Sequence, residues 1–99
     1  MIRHIVMWKL QTSDPAEREA QIAEMRARFE ALVPIIDGTR SLEVVADVAQ
    51  TDGNWDVALI GDYDDHAALD AYQVHPAHQE VAAFVRTLVA SRVCIDFEI

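Results

Sequence analysis

Ala71-Tyr72-Gln73-Val74-His75-Pro76-Ala77-His78 is the stretch around which the rest of the chain is organised. It holds two of the four histidines and one of the two tyrosines. Proline disfavours helix at the residue before it and suits the first turn of a new helix. The stretch therefore predicts one helix ending near Val74 and another beginning at Pro76. Tyr72 then sits in the last turn of the first helix and His78 in the first turn of the second. A phenol and an imidazole are held at a helix–helix corner, with His75 at the joint.

Upstream of the corner, Ile2 to Leu10 alternates as a strand, with Ile2, His4, Val6, Trp8 and Leu10 on one face. Asp14 is a good helix N-cap, Pro15 suits the first helical position and Glu17 follows in a capping-box-like pattern. The helix that follows places Ile22, Met25, Phe29, Leu32 and Val33 on one stripe, and Pro34 ends it. Ser41 to Val48 and Trp55 to Tyr63 read as strands joined across Asp52-Gly53, a turn signal that fits a hairpin. Asp64 or Asp65 caps the short helix leading to the corner. Beyond it, His78, Val81, Val85 and Leu88 recur at helical spacing, and a last strand runs from about Arg92 to Ile99.

This order is strand, helix, strand, strand, helix in two pieces, strand. It is the split βαβ, ferredoxin-like order. An α+β fold is expected, a four-stranded antiparallel sheet with its helices on one face. The other sheet face would carry Ile5, Met7, Val45, Ala58, Ile60 and Cys94 among Arg3, Lys9, Glu43, Asp56 and Asp62. Such a face is too apolar for open water, and a second copy of the chain packed face to face would cover it.

Composition narrows the partners. The 99 residues fit one domain spanning 1–99, and 52% are hydrophobic, enough for a core. A formal net charge of −9, from 17 acidic and 8 basic residues, opposes binding to nucleic acid or to an anionic membrane. No apolar run reaches bilayer length and no charged-then-apolar leader opens the sequence. With Cys94 the single cysteine, no internal disulfide forms, and a cytoplasmic, reduced setting is the expectation.

The residues also carry a resemblance. Ile2-Arg3-His4-Ile5-Val6-Met7-Trp8-Lys9-Leu10, the Tyr72-x-x-His75-Pro76-x-His78 signature and Cys94-Ile95-Asp96-Phe97-Glu98 are similar to the stress-responsive A/B-barrel domain, or Dabb, family. That resemblance covers the whole chain and implies a homodimeric α+β barrel. Plant polyketide cyclases are one relative type, closing a linear polyketide by an aldol step. At positions matching Tyr72 and His78 they use a tyrosine and a histidine for acid–base work, and a histidine matching His4 lines the pocket. A further pocket histidine of those cyclases falls at Val57, so their long substrate is not implied. Cofactor-free monooxygenases and haem-binding members share the wider superfamily, so fold alone does not select a reaction.

From these readings comes a small apolar pocket for a carbonyl or phenolic compound. Tyr72 and His78 are its candidate catalytic pair. His4, Val6, Trp8, Val57 and His75 are its candidate ligand contacts. A helix N-terminus and an apolar setting both favour a neutral His78 able to accept a proton, and Tyr72 can bond a carbonyl oxygen as it gains charge. Each has a plainer reading: buried tyrosine and histidine are commonly satisfied by backbone, His75 caps a helix, and His4 pairs with a core neighbour. Trp8, Trp55, Phe29 and Tyr63 read as core aromatics, with Trp8 and Trp55 also placed to wall the pocket. No zinc pattern, haem ligand set or Gly-rich phosphate loop is present, so neither metal nor cofactor is expected. Cys94 lies on the final strand, where no nearby basic residue in the sequence is expected to activate it. Cofactor-free proton transfer of the cyclase or lyase type is the most economical chemistry for an enzyme here. The rival is a non-catalytic, stress-related binding or protective protein.

Overall fold

Alternation through Ile2–Leu10 does produce a strand, β1, with His4, Val6, Trp8 and Leu10 buried on one side. The computed structural model describes residues 1–99 and adds α1 (Pro15–Glu30), β2 (Thr39–Ala46), β3 (Val57–Tyr63), α2 (His66–Val74), α3 (Pro76–Arg86) and β4 (Val89–Glu98). The sheet order is β2-β3-β1-β4, antiparallel throughout, which is the ferredoxin-like arrangement. Side chains of β1 and β3 meet α1, α2 and α3 in one apolar core.

Asp14 caps α1 by accepting from the Glu17 N–H at 2.9 Å, with Pro15 leading the helix. Ile22, Met25 and Phe29 form its buried stripe. The helix closes at Glu30, ahead of Pro34. Tighter bonds, Leu32 N–H to Phe29 C=O and Ile35 N–H to Leu32 C=O at 3.0 Å each, end it while keeping Leu32 in the core. Arg18 fixes α1 to the loop between β2 and β3, donating at 3.0 Å to the carbonyls of both Asp47 and Asp56.

That loop is longer than a tight hairpin. β2 stops at Ala46 and β3 starts at Val57, so Val48 and Trp55 lie outside the strands. Asp47 turns the chain instead. Its carboxylate accepts from the Gln50 N–H at 2.6 Å and the Asn54 amide at 3.0 Å, and Gln50 takes a positive φ of 49°. Asp52-Gly53 still makes a turn within it, Gly53 at φ 94°.

The last strand departs most from expectation. Pairing with β1 slips between Lys9 and Leu10, and Leu10 then lies opposite Val89, so β4 begins three residues before Arg92. Register puts Cys94 opposite Val6 and Asp96 opposite His4, on the helix side of the sheet. Cys94 is thus not on the open face. Val93, Ile95 and Phe97 are there instead, opposite Met7, Ile5 and Arg3. The reason is the slip: Val89 faces inward opposite Leu10, and the extra residue after it reverses the alternation, so Arg92, Cys94 and Asp96 turn to the helices and the apolar set turns away. Met7, Val93, Ile95 and Phe97 stand 39% to 61% exposed. Across the sheet, the rows Glu43–Ile60–Ile5–Ile95 and Val45–Ala58–Met7–Val93 form an apolar band. It is bordered by Arg3, whose guanidinium grips both Asp62 oxygens at 2.8 and 3.0 Å.

Candidate functional site

The corner forms as its sequence dictates. α2 ends at Val74, His75 takes extended backbone (φ −65°, ψ 135°), and α3 starts at Pro76. Pro76 has no N–H, so the Tyr72 carbonyl receives the His75 N–H instead, at 3.2 Å. The Ala77 N–H, which a continuous helix would have given to Gln73, goes to His75 Nδ1 at 3.0 Å. Gln73's carbonyl is thereby freed. It accepts from His78 Nδ1 at 3.1 Å and from the Gln79 amide at 2.8 Å. A carbonyl only accepts, so Nδ1 of His78 carries the proton and Nε2 keeps its lone pair in the neutral ring. Burial above all holds the His78 pKa below its usual range, against the opposing pull of the Gln73 carbonyl, with Arg92 and Arg86 adding smaller pushes the same way as burial.

Between the sheet and the helices lies a cavity of about 440 Å³. β1 supplies His4, Val6 and Trp8 to it, β3 Leu59, α1 Phe29, and α2 Tyr72. From α3 come His78, Ala82, Val85 and Arg86, and from β4 Val89, Ala90, Ser91 and Arg92. Trp8 stacks on Phe29 with ring centres 5.8 Å apart, making an aromatic wall.

Tyr72 is fully buried and its hydroxyl has no hydrogen-bond partner. Its ring lies 4.3 Å from that of His78 and 4.9 Å from that of Tyr63. Burial pushes the Tyr72 pKa up to about 12, so the phenol is a proton donor near neutrality. Tyr63, equally buried, is pushed higher still, again chiefly by burial and then by Tyr72. The two hydroxyls are close enough to influence each other's ionisation. No contact between them has hydrogen-bond geometry, and geometry decides whether an atom is satisfied, so both count as unpartnered. Tyr63 is the core aromatic that the sequence predicts, and it is also a second buried, unpartnered phenol at the corner. Its alternation position in β3 gave no hint that its hydroxyl would reach the corner. Gly61 makes room for it, because a Cβ there would meet the Tyr63 hydroxyl at 2.8 Å.

His4 is 3% exposed, and its Nδ1 bonds the Asp96 carboxylate. The carboxylate accepts, so Nδ1 carries the proton and Nε2 is the nitrogen left over. Asp96 orients the ring from the edge strand, a pairing the misassigned phase of β4 concealed.

Two expected contacts are elsewhere. Val57, opposite Trp8 at the start of β3, does not reach the cavity, and Leu59, two residues on and opposite Val6, takes its place. His75 has turned its ring onto the Ala77 N–H and does not reach the cavity, since an N-cap side chain must fold back on its own helix. Val57 and Trp55 instead border a second hollow, of about 400 Å³, beside Met7, Val45 and Ala58 of the open sheet face. No three His, Cys, Asp or Glu side chains stand together as a metal site. Cys94 does have a basic neighbour, contrary to expectation: Arg92, two residues away, places Nη1 3.6 Å from its Sγ. No helix is long and apolar enough to cross a membrane.

Set against known proteins, the sequence model of the Stress Responsive A/B Barrel Domain family matches residues 2–99. An uncharacterized protein of Streptomyces coelicolor is 34% identical over 98 residues, covering 99% of both chains. A dimeric protein of unknown function and ferredoxin-like fold from Bacteroides fragilis is 27% identical, with a TM-score of 0.85 over 99% of this chain and 95% of that one. A dimeric ferredoxin-like protein from Thermobifida fusca, also of unknown function, is 26% identical, with a TM-score of 0.80 over 99% and 90%.

Proposed function

This chain belongs to the stress responsive A/B barrel domain family, and we propose that it is a homodimer binding a small apolar carbonyl compound and catalysing cofactor-free proton transfer on it. The observation that carries the reading is Tyr72, which lines the cavity and whose buried hydroxyl has no partner of its own. A buried hydroxyl left unbonded is costly, and a ligand carbonyl oxygen would complete it. Beside it stands a neutral imidazole whose Nε2 is free to accept.

In this chemistry the carbonyl oxygen takes the Tyr72 hydrogen bond. His78 Nε2 removes a proton from the adjacent carbon. The electron pair of that C–H bond moves onto oxygen, and the resulting enolate is held by Tyr72. Where the substrate has a second carbonyl in reach, the enolate carbon attacks it and closes a C–C bond, the aldol step of polyketide cyclases. Protonation of the new alkoxide by imidazolium restores His78. Dimerisation through the open sheet face is part of the reading. The apolar band supports it, as does the dimeric state of the Bacteroides fragilis and Thermobifida fusca proteins.

The test is exchange of α-hydrogen for deuterium. Methyl 4-acetylbenzoate is incubated with the protein in heavy water and its acetyl signal followed by NMR. Wild type should accelerate the loss of that signal, and His78→Asn should not. Calorimetric binding with no accelerated exchange would identify a binding protein and refute the catalytic reading.

A further inference from the structure

We infer that the ligand of this cavity carries a carboxylate, held at the mouth by Arg86 and Arg92; the inference rests on the cavity being a ligand site, as proposed above. Its first ground is the sign of the lining. Acidic residues outnumber basic ones 17 to 8 along the chain, yet none of the 14 residues lining the cavity is acidic. Two of them are arginines and two are histidines. Asp96, opposite His4 on β4, has its carboxylate committed to His4 Nδ1.

The second ground is how the arginines are partnered. Arg3 pairs with Asp62, Arg18 with Asp56, Arg26 with Glu30, Arg28 with Glu24 and Arg40 with Asp64. Arg86 and Arg92 pair with no carboxylate, although the chain has acids to spare. They come from different elements, the last turn of α3 and the edge strand β4, and meet only at the cavity. Register places Arg92 opposite the inward-facing Trp8, so it lies on the helix side of the sheet and away from the open apolar band. Their charges also reach His78, which both help to keep neutral.

Chemistry narrows the anion. A guanidinium is planar and always charged, and it matches the two oxygens of a carboxylate with parallel N–H bonds. A phosphate site usually adds backbone N–H groups from a helix N-terminus or a glycine loop. Here the mouth adjoins the opposite end of α3, where carbonyl dipoles disfavour a dianion more than a monoanion. The ligand is then amphiphilic: a carboxylate at the arginines, an apolar body along Trp8 and Phe29, and a carbonyl at Tyr72.

The experiment compares 4-acetylbenzoate with its methyl ester by titration calorimetry at low salt. Wild type should bind the acid about tenfold more tightly than the ester, the gain of a charge-assisted over a neutral contact. Arg86→Gln combined with Arg92→Gln should abolish that preference, the acid then binding no more tightly than the ester. Arg40→Gln, remote from the cavity, should keep it. Equal binding of acid and ester by wild type would overturn the carboxylate inference and leave the cavity reading standing. A preference surviving in the double variant would do the same. Failure of wild type to bind either compound would overturn both.

Discussion

Replacing Tyr72 by Phe separates a ligand-directed hydroxyl from a structural one. The ring contacts with Tyr63 and His78, at 4.9 and 4.3 Å between centres, survive the change, and only one oxygen leaves. That oxygen is fully buried and bonded to nothing. Burying an unbonded hydroxyl costs ~1–3 kcal/mol on protein mutational scales. Removing it should therefore leave unfolding free energy unchanged or raise it, by up to ~1–2 kcal/mol once slight repacking is allowed. Binding of methyl 4-acetylbenzoate should weaken by the ~0.5–1.5 kcal/mol of a neutral hydrogen bond. Urea denaturation at several protein concentrations gives the first quantity, from the midpoint at unchanged slope, and calorimetry gives the second. The reasoning fails if Tyr72→Phe loses more than ~1 kcal/mol of stability with binding intact, since that is the mark of an orphaned protein partner. Tyr63 is the candidate partner. If the two hydroxyls were bonded to each other, Tyr63→Phe would show the same loss and the double variant would show little more.

Four further outcomes follow. Ile60→Asp together with Met7→Glu, both in the apolar band, should split or unfold the dimer, and sedimentation of wild type as a monomer at micromolar concentration would contradict the proposed interface. Gly61→Ala should cost ~1–3 kcal/mol in denaturation, because its Cβ would press within 2.8 Å of the immobile Tyr63 hydroxyl and 3.0 Å of Leu42; an unchanged midpoint would show that the ring can yield. His75→Ala should lose ~0.5–2 kcal/mol of capping energy and His75→Asn much less, with ester binding the same in both, whereas a binding defect in the Asn variant would return His75 to the site. Because the folded pKa of His78 lies below its unfolded 6.5, the unfolded chain takes up the proton first, so this residue's contribution is intact above that pH and is lost as pH falls through the folded value; His78→Gln should flatten that part of the urea-midpoint profile, and parallel profiles would contradict it.

Much of the architecture was legible because it depends on local rules. Pro15 and Pro76 mark helix starts, Asp14 caps the first helix, and strict alternation fixes which side of β1 is buried. The strand phases that depended on pairing were not legible. β4 is alternating apolar and polar, and periodicity alone cannot say which set faces the helices. The slip opposite Lys9 and Leu10 decides it, and a slip is a property of two strands together. The same limit applied to the site. Tyr72, His78, His4, Val6 and Trp8 line one cavity, whereas Val57 and His75 do not. Arg86 and Arg92 had no local signal, because their approach depends on how α3 packs beside β4, and neither Leu59 at the cavity nor Tyr63 beside Tyr72 is singled out by the alternation of β3.

One proline carries the argument from sequence to protonation state. Pro76 removes the N–H that would close onto the Tyr72 carbonyl, and the break sends the Ala77 N–H to His75. Gln73 is left with a bare carbonyl at the mouth of the joint, and that carbonyl draws the Nδ1 proton of His78. Its Nε2 is therefore the basic nitrogen, and burial keeps it unprotonated. Tautomer, orientation and basicity of His78 thus follow from a helix interruption rather than from a dedicated carboxylate partner of the kind that His4 has in Asp96. A carboxylate at His78 would raise its basicity, but on the proposed chemistry it would also bring a negative charge near the developing enolate. A neutral carbonyl orients the ring without that penalty. No acidic residue lines the cavity, so on the same reading no negative side chain there opposes an oxyanion.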